Sequence, residues 1–276
     1  MAPSGLGSDS ATLADPSPPQ TSIQLNGTTD YIQVDPVGST DFSVSSAGLT
    51  VSAWMRPDAL QFPAAQGSDG CRFIHWLGKG ETVQQEWVFR MYQDDSVSCP
   101  GTPSNRSERI SFYVFNLSAP PGETNRGCGS YFQDPIQAGQ WVHVVGTVDS
   151  VQRTVSIYKN GELRHTHSYD GIITPESGTA PVRMGTRDKV SYLFGALAEV
   201  RVWNRPLTDQ EISDLYNLNV VPPDGLVAEY LLNEGAGAIA HDTAGAHDGN
   251  INGTMTWGGA DAGGINSDRV QSGGGC

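Results

Sequence analysis

The chain has 276 residues, 37% of them hydrophobic, with 33 glycines, 17 prolines and four cysteines, and no apolar run approaches the roughly 20 residues of a membrane-spanning helix. Thirty acidic against sixteen basic residues leave a net charge of −14, which repels a phosphate backbone and argues against nucleic acid as a partner. Short apolar runs between many Gly and Pro residues suit strands joined by turns, each burying one face, better than long helices.

Residues 1–20 are rich in Ser, Pro, Ala and Gly and lack the basic and apolar regions of a signal peptide, so they read as a disordered leader. The protein then stays inside, leaves by a route these residues do not show, or has a signal that this sequence lacks. Residues 22–24 and 31–34 flank Asn26-Gly27, a dipeptide suited to the positive φ angles of a tight turn, and a first hairpin is expected there. Residues 49–55 (LTVSAWM) alternate apolar and mixed positions, the pattern of a half-buried strand.

Three aromatic and β-branched runs follow, 72–77, 86–92 and 109–115, each bounded by turn formers, and they read as consecutive antiparallel strands. Parity puts Trp87, Phe89 and Met91 on one face of the second, and Ile110, Phe112 and Val114 on one face of the third. The opposite, mixed face carries Arg90, Tyr92, Ser111 and Tyr113, with Trp76 placed beside them.

Residues 141–149 and 153–159 form a further strand pair, and Asn160-Gly161 turns the chain into 162–167 as a type I′ hairpin. Residues 181–185 and 193–203 supply two more strands. Thr208-Asp209-Gln210-Glu211 is a capping box, with Leu207 and Ile212 at the positions of a hydrophobic staple; it predicts one helix that runs to Tyr216 or Asn217 before Pro222-Pro223. Strand patterns return at 225–232 and 251–257, and residues 259–276 have nothing to bury and read as a disordered Gly-rich tail. The fold class is all-β: a two-sheet antiparallel sandwich with one short C-terminal helix.

Cys71 opens one strand and Cys99 follows its antiparallel neighbour, so both fall at one end of a sheet. A Cys71–Cys99 disulfide is expected from that order, and with it an oxidising location. Cys128 comes after another traverse, and Cys276 ends the tail.

Five segments in order resemble the laminin-G-like jelly-roll domains of the concanavalin A-like lectin/glucanase superfamily. Residues 25–34 (LNGTTDYIQV) are similar to its opening, 49–57 to its Trp-containing strand, 140–144 (QWVHV) to its W-x-H motif, 157–161 (IYKNG) to its Y-x-D-G motif, and 195–216 to its longer motif that runs from G-x-x-D-E-V to E-I and a final Tyr. The resemblance covers about residues 22–218 and implies a jelly-roll domain over 21–220. Residues 221–258, which resemble a family segment usually found before the opening strand, either pack on the same sandwich or begin another unit. Ala198 stands where the family usually has an acid, so of the calcium positions the resemblance implies, Asn26 and Asp30 are the best that remain.

The superfamily includes polysaccharide-degrading enzymes, and a retaining hydrolase needs two carboxylates about 5 Å apart. Neither Glu86 nor Glu199 has a same-face acid two or four residues on, and no E-x-D-x-E strand or G-x-S-x-G elbow occurs. His165-x-His167 has a spacing metals use, without a third ligand nearby, and Asp242, His247 and Asp248 suit an Asx-type turn as well as a cation. On the mixed face, rings beside hydrogen-bonding groups suit a sugar's apolar face and hydroxyl edge; the same aromatics also fit a core beneath a covering loop. The loops 58–71, 93–108 and 116–130 are long enough to carry recognition instead. The expected function is a non-catalytic carbohydrate-binding or adhesive module at a cell or particle surface, with a glycan or surface protein as partner. A structural or decoration component of an extracellular or phage-like assembly is the alternative, and a divergent polysaccharide-degrading enzyme the third; the chain is expected as a homo-oligomer or a particle component.

Overall fold

The structure, a computed structural model, describes residues 16–34, 39–68, 70–81, 84–99, 105–116, 127–169 and 173–259. Residues 1–15 of the leader and 260–276 of the tail, with Cys276, lie outside them. The strands are β1 (Thr21–Asn26), β2 (Tyr31–Val34), β3 (Gly48–Pro57), β4 (Phe73–Glu81), β5 (Gln84–Tyr92), β6 (Ile110–Phe115), β7 (Gly127–Phe132), β8 (Val142–Asp149), β9 (Thr154–Lys159), β10 (Glu162–Ser168), β11 (Val182–Met184) and β12 (Phe194–Trp203). Helix α1 (Asp209–Leu218) then precedes β13 (Leu226–Tyr230), β14 (Ile239–Ala240), β15 (Gly249–Asn252) and β16 (Thr256–Gly259).

These strands make two antiparallel sheets. The first runs β10-β9-β8-β3-β12-β1-β16, with β13 also on β12; the second runs β14-β15-β2-β11-β4-β5-β6-β7. Their facing sides carry the side chains that alternation assigned to the interior: Leu49, Val51, Ala53 and Met55 from the first sheet, and Trp87, Phe89, Met91, Ile110, Phe112 and Val114 from the second, all at 0% exposure. The two-layer, all-β sandwich is therefore the fold of this chain.

Four expectations are corrected. Residues 22–34 do not form a hairpin, because β1 pairs with β12 and β16 while β2 pairs with β11 and β15. Positive φ at Gly27 (76°) serves a turn that carries the chain from one sheet to the other. Residues 49–55 are covered on both faces: Thr50 donates to the Arg205 carbonyl (2.8 Å) and accepts from the Leu207 amide (2.9 Å), and Trp54 packs against Tyr216 of α1. Part of the stretch read as the loop 116–130 is a strand, β7. Finally, Trp76 is in the core at 0% exposure, stacked on Phe89 with ring centroids 4.8 Å apart. It shares parity with Ile74, and a bulge between His75 and Leu77 lets Leu77 turn inward as well.

The local readings of the hairpin and helix hold. Asn160 (φ 51°) and Gly161 (φ 78°) give the two positive angles of a type I′ turn between β9 and β10. Thr208 accepts from the Glu211 amide while the Glu211 carboxylate accepts from the Thr208 amide, and Leu207 and Ile212 join Trp203 and Leu215 under the helix. Thr208→Ala is expected to cost about 1 kcal/mol of stability, read by urea denaturation.

The segment after α1 adds strands to both sheets, β13 and β16 to the first and β14 and β15 to the second. Among the described residues no helix is long and apolar enough to cross a membrane. Cys71 and Cys99 form a disulfide with Cα atoms 4.6 Å apart, at the end of the β4–β5 pair, and Cys128 is a buried thiol. Closing a loop of sequence separation 28 stabilises by about 3.5 kcal/mol in the chain-entropy picture. Cys71→Ser with Cys99→Ser should lower the unfolding free energy by a comparable amount, and an unchanged urea midpoint would contradict it.

Candidate functional site

The outer face of the second sheet is built by register. His75, Arg90, Ser111 and Tyr131 lie in one row across β4, β5, β6 and β7; Val88, Tyr113 and Gly129 occupy the next. Phe73 pairs with Tyr92 on the other side of the row. Gly129 is what lets Tyr113 lie down, because a Cβ there would stand 2.5 Å from the Tyr113 ring and 2.6 Å from the Phe112 carbonyl.

Arg90 is the hub. Its guanidinium carbon sits 4.2 Å from the Phe73 ring centroid and 4.9 Å from that of Tyr113, a cation–π arrangement that holds the planar group among rings. Its Nε donates to His75 Nε2 (3.1 Å) and its Nη1 to the Tyr92 hydroxyl (3.2 Å). That hydroxyl also accepts from Arg106 Nη1 (2.7 Å). Next to them Arg109 lies over Tyr131, 3.9 Å from its centroid.

The imidazole of His75 faces Asp188 on its other side (3.8 Å), and Asp188 in turn pairs with Arg187 (2.6 Å). Burial lowers the His75 pKa to about 3, with the Arg90 and Arg187 charges adding to it and the bond to Asp188 opposing it. The ring is therefore neutral near pH 7 and accepts from Arg90 without supplying charge.

Arg90, Tyr92, Ser111 and Tyr113 are thus brought together on one face, at two depths. Arg90, Tyr113 and Phe73 are partly exposed and Tyr131 is exposed at 38%, while Tyr92 (2%) and Ser111 (0%) lie beneath the surface and cannot touch a ligand in this conformation. Trp76 is absent from the face because it fills the core. Sequence reasoning missed Phe73, His75, Arg106 and Tyr131. Phe73 and His75 could have been found from strand parity, whereas Arg106 sits in the loop 93–108 and Tyr131 in the strand hidden by its glycines.

Asn26 and Asp30 also meet, but they face each other. Asn26 Oδ1 accepts from the amides of Thr28 (2.9 Å), Thr29 (2.9 Å) and Asp30 (3.2 Å); Asp30 accepts from the Asn26 amide, the Asn26 side chain and the Thr254 amide. With an N–H donor aimed at every one of their side-chain oxygens, these two residues do not fit a calcium ion. Asp242 is used in the same way, accepting from the amides of Glu229, Ala244, Gly245 and His247. Among the described residues no group of three or more His, Cys, Asp or Glu side chains could hold a metal. His165 and His167 lie on β10, an edge strand, with His165 against Tyr131 (5.1 Å).

Each carboxylate weighed for hydrolysis has a cationic partner: Glu86 pairs with buried Lys79, and Glu199 with Arg201 (3.1 Å). They stand in different sheets. A cavity of about 420 Å³ lies elsewhere, between residues 16–20, Trp54, Glu199 and the C-terminal end of α1. Its lining mixes Pro16, Pro18 and Pro19 with Trp54, Glu199, Tyr216 and Asn219.

Residues 26–213 match the family model of the concanavalin A-like lectin/glucanases superfamily. The chain belongs to this superfamily. Among solved structures, the concanavalin A-like sandwich described above is similar to that of a "putative carbohydrate binding protein" from Bacteroides ovatus. That match has a TM-score of 0.59 and 20% identity, and covers 90% of this chain and 62% of the other, so the chain spans less than two thirds of that protein's length. A heptameric SAP-like pentraxin from Limulus polyphemus matches with a TM-score of 0.55 and 16% identity over 87% of this chain and 94% of the other. At these identities the likeness is one of fold. Among curated proteins none matches the sequence.

Proposed function

We propose that this concanavalin A-like chain is a non-catalytic carbohydrate-binding module, acting outside the cell or on a particle surface, and that the outer face of the second sheet is its binding surface. The observation that carries this reading is the partly exposed pair of Phe73 and Tyr113 rings around Arg90, with the exposed Tyr131 ring two strands away under Arg109. Ring faces cover the apolar C–H faces of a pyranose, and the guanidinium reaches its hydroxyl edge. The lectin-type fold and the name of the Bacteroides neighbour support it, and the disulfide agrees with an oxidising compartment.

A glycan array with the intact chain tests this. Binding to at least one saccharide is expected, weakened about tenfold by Tyr113→Ala, since a sugar–ring contact is worth on the order of 1 kcal/mol or more. Silence across the array would replace this reading with that of a structural or decoration component, and release of reducing ends or unsaturated uronates from polysaccharides would favour an enzyme. The array is run with and without EDTA. Because Asn26 and Asp30 are consumed in their turn, EDTA should leave binding unchanged; its loss would place calcium at other oxygens of the loops.

A further inference from the structure

We propose that this face selects anionic saccharides, holding a carboxylate or sulfate group of the sugar between Arg90 and Arg106. The inference rests on the carbohydrate-binding reading above and deepens it.

The basis is an imbalance of charge. In a chain with a net charge of −14, most described cations are matched by acids: Arg56 by Asp58, Arg183 by Glu81, Arg187 by Asp188, Arg201 by Glu199 and Glu229, Arg205 by Glu211, and Lys79 by Glu86. Arg90 and Arg106 differ. Both donate to one neutral oxygen, the Tyr92 hydroxyl, at 3.2 and 2.7 Å, and Arg90's other partner is the neutral imidazole of His75. Among the described residues neither forms a salt bridge, and Arg106 Nε is buried with no hydrogen-bond partner. Asp188, which faces His75, is already paired with Arg187 (2.6 Å).

Two guanidiniums sharing one phenol oxygen repel each other, and half-buried against rings they are poorly screened by water. A single anion placed between them would remove the repulsion and accept charge-assisted bonds from both planar forks. Tyr113 and Phe73 flank Arg90, so a sugar ring stacked there would carry its charged substituent into this position. The acidic remainder of the protein disfavours indiscriminate binding of polyanions, which makes the expected preference one of position.

The test is calorimetric titration of the intact chain with matched pairs: oligogalacturonate against its methyl ester for the carboxylate arm, and dextran sulfate oligomers against dextran for the sulfate arm. The charged member of at least one pair is expected to bind about tenfold or more tightly than its neutral counterpart, with an affinity that falls as salt rises. Which arm responds identifies the anion. Arg90→Gln and Arg106→Gln should each abolish the preference, Arg90→Lys should recover only part of it, and Arg164→Gln, on the edge of the other sheet, should leave it intact. The wild-type comparison of charged with neutral members decides the matter even where a variant fails to fold. Equal binding of both members in both pairs would overturn the proposal while the carbohydrate-binding reading stands; no binding to any saccharide on the array would remove that reading as well.

Discussion

Glu86→Gln is expected to cost about 3 kcal/mol of stability or more, because it strips a buried ammonium of its only carboxylate partner among the described residues. Lys79 and Glu86 are exposed by 0% and 1% at their side chains, and their pair is completed by the carbonyls of Gly178 (2.8 Å) and Ala180 (2.9 Å) on the lysine and by the Ser43 hydroxyl on the glutamate. Burial drives Lys79 down and Glu86 up from their ordinary pKa values, while their mutual attraction opposes both shifts. Desolvation is thus the larger effect on each partner, and the pair need not stabilise relative to an apolar replacement. Lys79→Met combined with Glu86→Leu should recover most or all of the loss. Urea unfolding of Glu86→Gln and of the double variant beside the unsubstituted protein measures this, and three equal midpoints would show that the pair does not matter.

The protein is also expected to lose stability steeply in mild acid. Burial holds both His75 and His143 down at about 3 from an ordinary 6.5, with Arg90 and Arg187 acting in the same direction on the first and Arg201 on the second. A depressed folded-state value means that the unfolded chain takes the proton first. The contribution is fully present above about pH 6.5 and is lost as pH falls from there towards 3. At 1.36 kcal/mol per unit each ring is worth on the order of 5 kcal/mol over that window. His143 lies between Trp54 (5.1 Å) and Tyr216 (5.8 Å), and its Nδ1 has no hydrogen-bond partner among the described residues. His143→Phe should therefore fold and flatten part of the acid limb. A thermal midpoint that stays level down to about pH 4 would refute the account.

What the sequence made legible was what alternation controls. The inward sides of β5 and β6 follow from parity alone, as do the outward positions of Arg90 and Tyr113, because every second side chain shares a face. The type I′ turn and the capping box are local devices, and each acted where its residues stood. The failures were all non-local. Asn26-Gly27 promises a turn but not which strands the turn joins, and here it links different sheets. The β7 run Gly127–Phe132 is Gly, Cys, Gly, Ser, Tyr and Phe, too small and flexible to show a period, although its glycines are what admit the Tyr113 and Phe115 rings. Trp76 was misplaced because neither an aromatic's preference for a binding face nor a bulge beside it can be told from core packing in one dimension. Arg106 reaches Tyr92 from a loop, where no periodicity points anywhere.

The joining of β1 to β16 and of β2 to β15 has a bearing on biosynthesis. As the chain emerges from the ribosome, the first two strands made wait with one flank bare until residues 249–259 have been translated, since those late strands cover them in both layers. A nascent chain halted after α1 would display two adhesive ribbons at once, so truncated products should be far more prone to clump than the finished chain.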